Sequence, residues 1–142
     1  MNILQNIAYT AKAIATGGRE GIAKSDDERL NVTLSTPKAL GCDDGQGTNP
    51  EQLFAAGYAA CFIGALKFVA GQEKRSLPSD TYINSEVSIG AIDGGFGIEV
   101  KLAVSLGDMD KTEAQTMVEK AHLVCPYSNA TRGNIEVTLS VI

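Results

Sequence analysis

A run of apolar residues between positions 50 and 71 constrains the fold more than any other part of the sequence. It follows Asn49-Pro50-Glu51, where an N-cap residue, a proline at the first helical position and a first-turn acid predict a helix start. The run is apolar on nearly every side, so the helix must be buried on every side. Because Lys67 interrupts it and alanine and glycine fill much of it, a buried central helix is favoured over a transmembrane span. One chain can cover part of such a helix, and a second subunit could cover the rest.

Alternating apolar residues predict strands before this helix. Residues 7–13 alternate with a period of two, and residues 30–34 do so again. Three strands fit this amino-terminal third, two of them flanking a turn near residues 25–27.

The second half of the sequence predicts a hairpin, a helix and a last strand. Residues 87–91 and 96–106 alternate and are joined by Asp93-Gly94-Gly95, a hairpin signal. An amphipathic helix is expected over residues 110–124, and residues 135–141 form the final alternating run. The predicted order is β-β-β-α-β-β-α-β, an α+β fold with mostly antiparallel strands around the long helix.

Composition narrows the functional class. With 142 residues the chain is expected to form a single domain, 1–142, whose core needs no disulfide. Seventeen acidic against twelve basic residues, with no run of lysine or arginine, disfavour nucleic-acid binding. Nothing near Met1 resembles a secretion signal, so the cytoplasm is the expected compartment. There a pair of thiols is more often catalytic or redox-sensing than structural.

Two of the three cysteines, Cys61 and Cys125, are candidate reactive groups. Cys61 lies in the middle of the apolar helix, where burial raises the pKa of a thiol, so a nearby cation would be needed to hold the thiolate. Cys125 precedes Pro126 at a predicted helix end, where the dipole does not favour an anion, which suits a resolving thiol. Either thiol could instead be inert packing. Cys42, in an acidic loop, is expected to have no role.

Arginine suits the missing cation because it stays charged when buried. Arg19 and Arg132 both lie in glycine-bearing turns, and either could serve. Glu51 is the candidate carboxylate partner, although it could simply be a first-turn acid that favours the helix dipole. Glu51 precedes Cys61 by ten residues, about 15 Å of helical rise. Unless the helix bends near Gly57, Glu51 is expected to serve the Cys61 of another subunit.

Three other functions are compatible with these residues. Cys125 and His122, one helical turn apart, could form the nucleophile pair of a hydrolase. Cys42, Cys61, Cys125 and His122 would formally suffice for a Cys₃His metal site, although no close cysteine pair supports it. The apolar helix could also belong to a carrier of apolar ligands without catalysis.

Two long blocks of the sequence resemble a known family. They read Gly47-Thr-Asn-Pro-Glu-Gln-Leu-Phe-Ala-Ala-Gly-Tyr-Ala-Ala-Cys-Phe62 and Val124-Cys-Pro-Tyr-Ser-Asn-Ala-Thr-Arg-Gly-Asn134, and shorter matches extend the likeness nearly end to end. Both blocks resemble the signatures of the organic hydroperoxide resistance proteins, the Ohr branch of the OsmC/Ohr family.

The resemblance implies an OsmC/Ohr-like fold, an intertwined homodimer with sites at the subunit interface, and a thiol peroxidase needing no metal, flavin or other cofactor. By position, Cys61 matches the peroxidatic cysteine and Cys125 the resolving cysteine. Arg19 matches the arginine that activates the thiolate and binds peroxide. Glu51 matches the carboxylate that orients this arginine.

The implied substrates are organic hydroperoxides carrying alkyl, aryl or fatty-acyl groups. Cys61 would become a sulfenic acid and then form a disulfide with Cys125. The family reductant is a dihydrolipoyl dithiol, as dihydrolipoamide or on a lipoylated protein. Five apolar residues could line a substrate channel, although each alone is more readily explained as part of the core: Phe54, Phe62, Ile63, Leu66 and Phe96.

Overall fold

The computed structural model describes residues 1–42 and 44–142, so Asp43 lies outside the described residues. The chain groups into two compact units, residues 1–53 and residues 54–142, and each is described by itself. The single domain expected over 1–142 stays a prediction.

The first unit contains a small antiparallel sheet. Strand β1 (Ala13–Thr16) pairs with β2 (Ile22–Ser25), which pairs with β3 (Asn31–Thr33). Gly17 and Gly18 adopt positive φ angles of 70° and 58° and let the chain turn through a short 3₁₀ segment between β1 and β2. The predicted turn near residues 25–27 is confirmed, since it separates β2 from β3.

The first strand was placed wrongly by the sequence pattern. Residues 7–12 precede β1, and Ile7 and Tyr9 are 74% and 81% exposed. Alternation predicts a strand with one face to bury, but a strand also needs a partner for its backbone groups. β1 begins only at Ala13, where pairing with β2 starts.

Helix α1 (Pro50–Gln72) begins in the first unit and continues into the second. Its predicted start is confirmed, because Asn49 Oδ1 accepts a hydrogen bond from the Gln52 amide at 2.9 Å. A parallel bridge between Leu34 and Thr48 ties the residues before the helix to the end of β3.

The second unit combines a three-stranded sheet with helices. The predicted hairpin is confirmed: β4 (Tyr82–Ile92) and β5 (Gly95–Ser105) pair antiparallel around a turn in which Gly94 has a φ of 81°. β6 (Val137–Val141) pairs with β5 in parallel. Helix α2 (Lys111–Val124) starts at Asp110, whose carboxylate caps two backbone amides.

The sequence did not predict a third helix, α3 (Pro126–Thr131). Pro126 correctly indicated the end of α2, because the residue before a proline avoids helical geometry. Cys125 is indeed extended, with φ −64° and ψ 125°. A proline is also well suited to the first position of a helix, and here it opens α3 directly. With this addition, the predicted element order is confirmed.

The core of the second unit lies between α1, α2, α3 and its sheet. On α1, the buried residues are Tyr58, Phe62, Ala65, Leu66, Val69 and Ala70. Phe68 of the same helix is 55% exposed, so the burial on every side that the sequence predicts is not reached within one chain. Among the described residues, α1 alone is long and apolar enough to cross a membrane, a property it shares with core helices of soluble proteins.

Candidate active site

Cys61 and Cys125 meet in the second unit. Their sulfur atoms lie 3.8 Å apart, and both cysteines are free thiols. α1 supplies Cys61, which is half-buried, while Cys125 occupies the junction of α2 and α3 and is fully buried. A disulfide requires sulfur atoms about 2.0 Å apart, so the two thiols need only a small movement to join.

The surroundings of Cys61 favour the protonated thiol. Burial raises its pKa most, the backbone amide of Tyr127 lowers it by hydrogen bonding, and the neighbouring Cys125 raises it further. Within residues 54–142, none of these influences comes from a cation. This agrees with the sequence-based expectation that a Cys61 thiolate needs a cation supplied from outside its own helix.

Cys125 lies between two helix ends, not at one. Its amide donates to the Ala121 carbonyl at the end of α2, and its carbonyl accepts from the Asn129 amide at the start of α3. The expectation from sequence considered only the carboxyl end of α2. The carboxyl end of α2 disfavours a thiolate at Cys125, whereas the amino end of the six-residue α3 favours one. Helix dipoles alone therefore do not assign the resolving role to Cys125.

Tyr127 follows Cys125 by two residues and is packed closely against α1. Its ring centroid lies 5.7 Å from that of Phe54 and 5.5 Å from that of Tyr58. A Cβ on Gly57 would come within 2.9 Å of the Tyr127 hydroxyl. The absence of a side chain at Gly57 therefore lets Tyr127 approach α1 closely, and the helix continues through Gly57 without interruption.

Arg19 and Glu51 form a bidentate ion pair in the first unit. Arg19 Nη1 donates to Glu51 Oε2 at 2.8 Å, and Nη2 donates to Oε1 at 2.6 Å. The 3₁₀ turn after Gly18 positions the arginine, and the first turn of α1 positions the carboxylate. Hydrogen bonding to Arg19 lowers the pKa of Glu51, and the same bonds raise the pKa of Arg19. The predicted carboxylate partner is thus in place.

Arg132, the other candidate cation, serves the ends of the helices in the second unit. One guanidinium nitrogen donates to Asn129 Oδ1 at 2.8 Å, and another donates to the carbonyl of His122. These bonds connect α2 with α3. Of the two candidate arginines, Arg19 is the one that bonds a carboxylate.

His122 is engaged by Ser128. Its Nδ1 lies 2.9 Å from Ser128 Oγ, and burial followed by the charge of Arg132 lowers its pKa. The sulfur of Cys125 instead contacts Cys61. This arrangement does not support the Cys125–His122 nucleophile pair of a hydrolase.

An apolar cleft of about 590 Å³ opens in the second unit. Two of the predicted channel residues, Phe54 and Phe96, line it together with Tyr127. The lining also includes Ile89, Ile92, Ile98, Ala130 and Ile135. Neither cysteine lines the cleft, but Tyr127 does, and its backbone amide bonds Cys61.

The other predicted channel residues have different roles. Phe62 and Leu66 are fully buried core residues, and Ile63 lines a separate cavity beside Lys67. A helical apolar run alone could not distinguish these positions, since they share one element.

Cys42 lies in the first unit, where its sulfur is 3.9 Å from Glu20 Oε1. Among the described residues, no three or more His, Cys, Asp and Glu side chains cluster as metal ligands would. The Cys₃His alternative therefore finds no ligand set in that part of the chain.

Two features near the thiols were missed from the sequence. One is the Tyr127 amide on Cys61, and the other is a buried contact between the hydroxyls of Tyr58 and Ser128 at 2.9 Å. A helix beginning at Pro126 was the signal for both, because it turns Tyr127 and Ser128 toward α1.

Comparison with known proteins identifies the family. The family model described as OsmC-like protein matches residues 43–140, which include Glu51, Cys61 and Cys125 but not Arg19. The chain belongs to the OsmC-like protein family. It is also 63% identical over 137 residues to an organic hydroperoxide resistance protein of Xanthomonas axonopodis pv. citri (strain 306), covering 96% of each chain. The resemblance to the Ohr branch seen in the sequence is confirmed.

Solved structures of this family confirm the α+β OsmC/Ohr-like fold. A putative organic hydroperoxide resistance protein from Vibrio cholerae has a TM-score of 0.92 and 43% identity, over 99% of this chain and 96% of that one. An organic hydroperoxide resistance protein from Legionella pneumophila has a TM-score of 0.89 and 47% identity, over 96% and 98%.

Proposed function

We propose that this OsmC-like protein is a thiol-dependent peroxidase that confers resistance to organic hydroperoxides by reducing them to alcohols. The observation that carries the proposal is the 3.8 Å approach of the Cys61 and Cys125 sulfurs. Tyr127, whose amide bonds Cys61, also lines an apolar cleft. Relatives named organic hydroperoxide resistance proteins, 63% and 49% identical over nearly the whole chain, support the same role.

The reaction has three balanced steps. The Cys61 thiolate attacks the terminal oxygen of a hydroperoxide, the O–O bond breaks, and Cys61 becomes a sulfenic acid. The alkoxide leaves and takes up from water a proton equivalent to the one that the Cys61 thiol lost on ionising, so an alcohol is released. The Cys125 thiol then displaces that hydroxyl as water and forms the Cys61–Cys125 disulfide. A dihydrolipoyl dithiol, free or on a lipoylated protein, reduces the disulfide and is itself oxidised. No metal or organic cofactor takes part.

Arg19 is the proposed activating group. Burial raises the pKa of Cys61, and no cation among the described residues lowers that pKa, so a guanidinium brought to the thiol would restore the thiolate. Glu51 holds that guanidinium by two hydrogen bonds and leaves its other edge available to a peroxide. Mixing mutant chains decides whether the Arg19–Glu51 pair serves the Cys61 of its own chain or that of a second copy.

The proposed assembly is an intertwined homodimer with sites at the interface. Large apolar side chains before β1 are exposed in the single chain, Ile3 at 82%, Ile7 at 74% and Tyr9 at 81%. Phe68 of α1 is 55% exposed as well. So many exposed large apolar side chains are unusual for a soluble monomer, and a second copy of the chain would cover them. The cytoplasm is the proposed compartment because the chemistry needs thiols that can be reduced again.

The apolar cleft supports organic over inorganic peroxide as substrate. The cleft exposes apolar surface of Phe54, Phe96 and Tyr127. An alkyl or aryl group that binds there displaces water from this surface and is stabilised, whereas hydrogen peroxide has no apolar group to bury. We therefore expect a higher kcat/KM for cumene or fatty-acid hydroperoxide than for hydrogen peroxide.

The deciding experiment follows consumption of cumene hydroperoxide with dihydrolipoamide as reductant, in wild type, Cys61→Ser and Cys125→Ser. Cys61→Ser is expected to abolish consumption, and Cys125→Ser to allow one rapid turnover followed by overoxidation of Cys61. Turnover by Cys61→Ser, or hydroperoxide binding without consumption by the wild type, would replace this proposal with a carrier function.

The subunit that supplies Arg19 is tested by mixing two inactive variants, Arg19→Ala and Cys61→Ser. If each site combines Arg19 of one chain with Cys61 of its partner, every mixed dimer has one intact site and one site that carries both substitutions. Recovered activity therefore assigns the arginine to the partner chain. If Arg19 and Cys61 act within one chain, no mixed dimer has an intact site and activity stays absent.

A further inference from the structure

A chain of buried polar side chains links the three helices around the thiol pair. The Tyr58 hydroxyl on α1 lies 2.9 Å from Ser128 Oγ on α3, and His122 Nδ1 on α2 lies 2.9 Å from the same oxygen. Tyr58 also lies 3.2 Å from Thr131 Oγ1. Ser128 is thus the one hydroxyl in this group that bonds both α1 and α2.

The positions of these residues match those of the cysteines. Tyr58 precedes Cys61 by three residues on α1, and His122 precedes Cys125 by three residues on α2. Three residues make about one turn of a helix. Ser128 therefore joins the two helices one turn before each thiol, and follows Cys125 itself by three residues.

The burial of this contact makes it a strong constraint. Ser128 and Tyr58 are both completely buried, and His122 is half-buried. In such surroundings a polar group without a partner is costly, so the three groups hold one another in a single arrangement. A shift of α3 away from α1 would break the Tyr58 bond and carry Cys125 and the Tyr127 amide away from Cys61 together.

Ser128 is unsuited to act as a nucleophile, although it is bonded to a histidine. Its side chain is fully buried, so no substrate can reach the oxygen. A serine–histidine pair that also bonds a buried tyrosine is better suited to fixing helices than to attacking a carbonyl.

We propose that Ser128, held between Tyr58 and His122, is the positioning residue that keeps Cys125 within reach of Cys61 for the disulfide-forming step. It touches neither sulfur in this role and acts through the placement of α3. The inference deepens the proposed function, since it assigns the geometry of the resolving step to a named side chain outside the reacting atoms.

The test measures how readily the two thiols pair without any hydroperoxide. Full-length protein carrying Cys42→Ser is equilibrated with reduced and oxidised glutathione, where one oxidised glutathione and the protein dithiol give the Cys61–Cys125 disulfide and two reduced glutathiones. The ratio at equilibrium, read by alkylation and mass spectrometry, gives the effective concentration of one thiol at the other. Ser128→Ala is expected to lower it roughly ten-fold, because small misplacements of reacting groups have effects of that size or larger.

Tyr58→Phe gives a second measurement with the ring and its packing kept. It removes the α1 side of the contact, so the effective concentration is expected to fall several-fold as well. If Ser128→Ala fails to fold, Tyr58→Phe decides alone. The matched control is Ser85→Ala, which removes a buried hydroxyl that has no hydrogen-bond partner within the described residues and is expected to leave the ratio unchanged.

A merely structural role for Ser128 predicts a different result. Loss of stability alone lowers the melting temperature of the reduced and oxidised proteins equally and leaves the effective concentration within two-fold of wild type. That outcome, in a folded Ser128→Ala or Tyr58→Phe protein, overturns the inference. The measurement uses no hydroperoxide, so it is independent of the peroxidase proposal. If the wild type does not consume cumene hydroperoxide but Ser128→Ala lowers the effective concentration, the peroxidase proposal is rejected and this inference is kept.

Discussion

The two units of the chain hold their functional groups in opposite ways. Among the described residues, sixteen hydrophobic side chains are buried, and all but Leu34 lie in the second unit. That unit contains both reactive thiols, one of them completely buried. The first unit contains the arginine and its carboxylate, with side chains 34% and 14% exposed.

The difference follows from what each group costs to bury. A thiol behaves as a small apolar side chain and packs into a core, but burial raises its pKa and makes it less reactive. A guanidinium is expensive to desolvate, and a bidentate carboxylate at a partly exposed position keeps it charged. The proposed chemistry needs both, so each unit supplies what the other cannot carry at low cost.

The largest effect is expected from removing the cation. Arg19→Ala should reduce peroxide turnover by at least about 100-fold, because the Cys61 thiolate loses its proposed stabilising charge. The free energy of unfolding should change by less than about 1 kcal/mol, since a partly exposed ion pair contributes little. Turnover with cumene hydroperoxide and the pH dependence of Cys61 alkylation are the two measurements.

Arg19→Lys is the matched control for charge without the planar fork. It should recover part of the thiolate but only a fraction of the turnover. If Arg19→Ala leaves the pH dependence of Cys61 alkylation unchanged, the arginine does not activate the thiol. The first unit would then not supply the cation that the chemistry of the second unit is proposed to need.

Truncation of a core leucine tests the structural side of the comparison. Leu66→Ala removes a completely buried side chain of the second unit and should cost about 3–5 kcal/mol of unfolding free energy. Leu34→Ala, at the small sheet of the first unit, should cost about 2 kcal/mol, because fewer buried neighbours are available to lose. Urea unfolding at one fixed protein concentration checks both values. Equal losses would mean that the first unit has a core as complete as that of the second.

The local parts of the fold were predictable from the sequence. Asn49 and Asp110 act as the helix caps that their residue types indicate, and Gly94 turns the hairpin at the predicted place. Each of these signals depends on contacts a few residues apart. The first strand was misplaced because alternation over residues 7–13 gives no information about which backbone it pairs with.

The pairing of a cation with a carboxylate was predictable from the sequence, but the arrangement around the thiols was not. The need for a cation near Cys61, and for a carboxylate on that cation, followed from pKa arguments, and Arg19 does pair with Glu51. The contact between Tyr58 and Ser128 spans 70 residues and depends on the packing of α3 on α1. A distance of that kind depends on tertiary structure, which local sequence signals do not contain.

The free energy of unfolding should depend on Cys61 of the second unit at alkaline pH and on Glu51 of the first unit at acidic pH. Without the proposed charge of Arg19, burial raises the pKa of Cys61 on folding. In Arg19→Ala the stabilising contribution of Cys61 is therefore complete below the unfolded thiol value of about 8.5 and is lost as pH rises through the folded value. The pKa of Glu51 is lowered on folding, so its contribution is present above about pH 4.3 and is lost as pH falls through the folded value. Unfolding free energies measured between pH 3 and about pH 11 check both limbs.

Each limb has its own variant. Cys61→Ser added to Arg19→Ala should flatten the alkaline limb, and Glu51→Gln in the otherwise unchanged protein should flatten the acidic limb. An alkaline limb that is unchanged by the added Cys61→Ser would show that burial of this thiol does not govern its ionisation. Burial in the second unit would then not raise the pKa of Cys61, and no arginine would be needed to lower it.

The smallest effect is expected at Ser85 on β4, inside the second unit. Its hydroxyl is buried without a hydrogen-bond partner among the described residues, so Ser85→Ala removes an unpaired polar group. The free energy of unfolding should stay the same or rise by up to about 1 kcal/mol, whereas Ser128→Ala, which leaves Tyr58 and His122 short of a partner, should lose about 1–3 kcal/mol. Thermal or urea unfolding of the two alanine variants at one protein concentration makes the comparison. A loss of 1 kcal/mol or more from Ser85→Ala would mean that a second copy bonds this hydroxyl in solution, and the second unit would then depend on its partner as the exposed first unit is proposed to do.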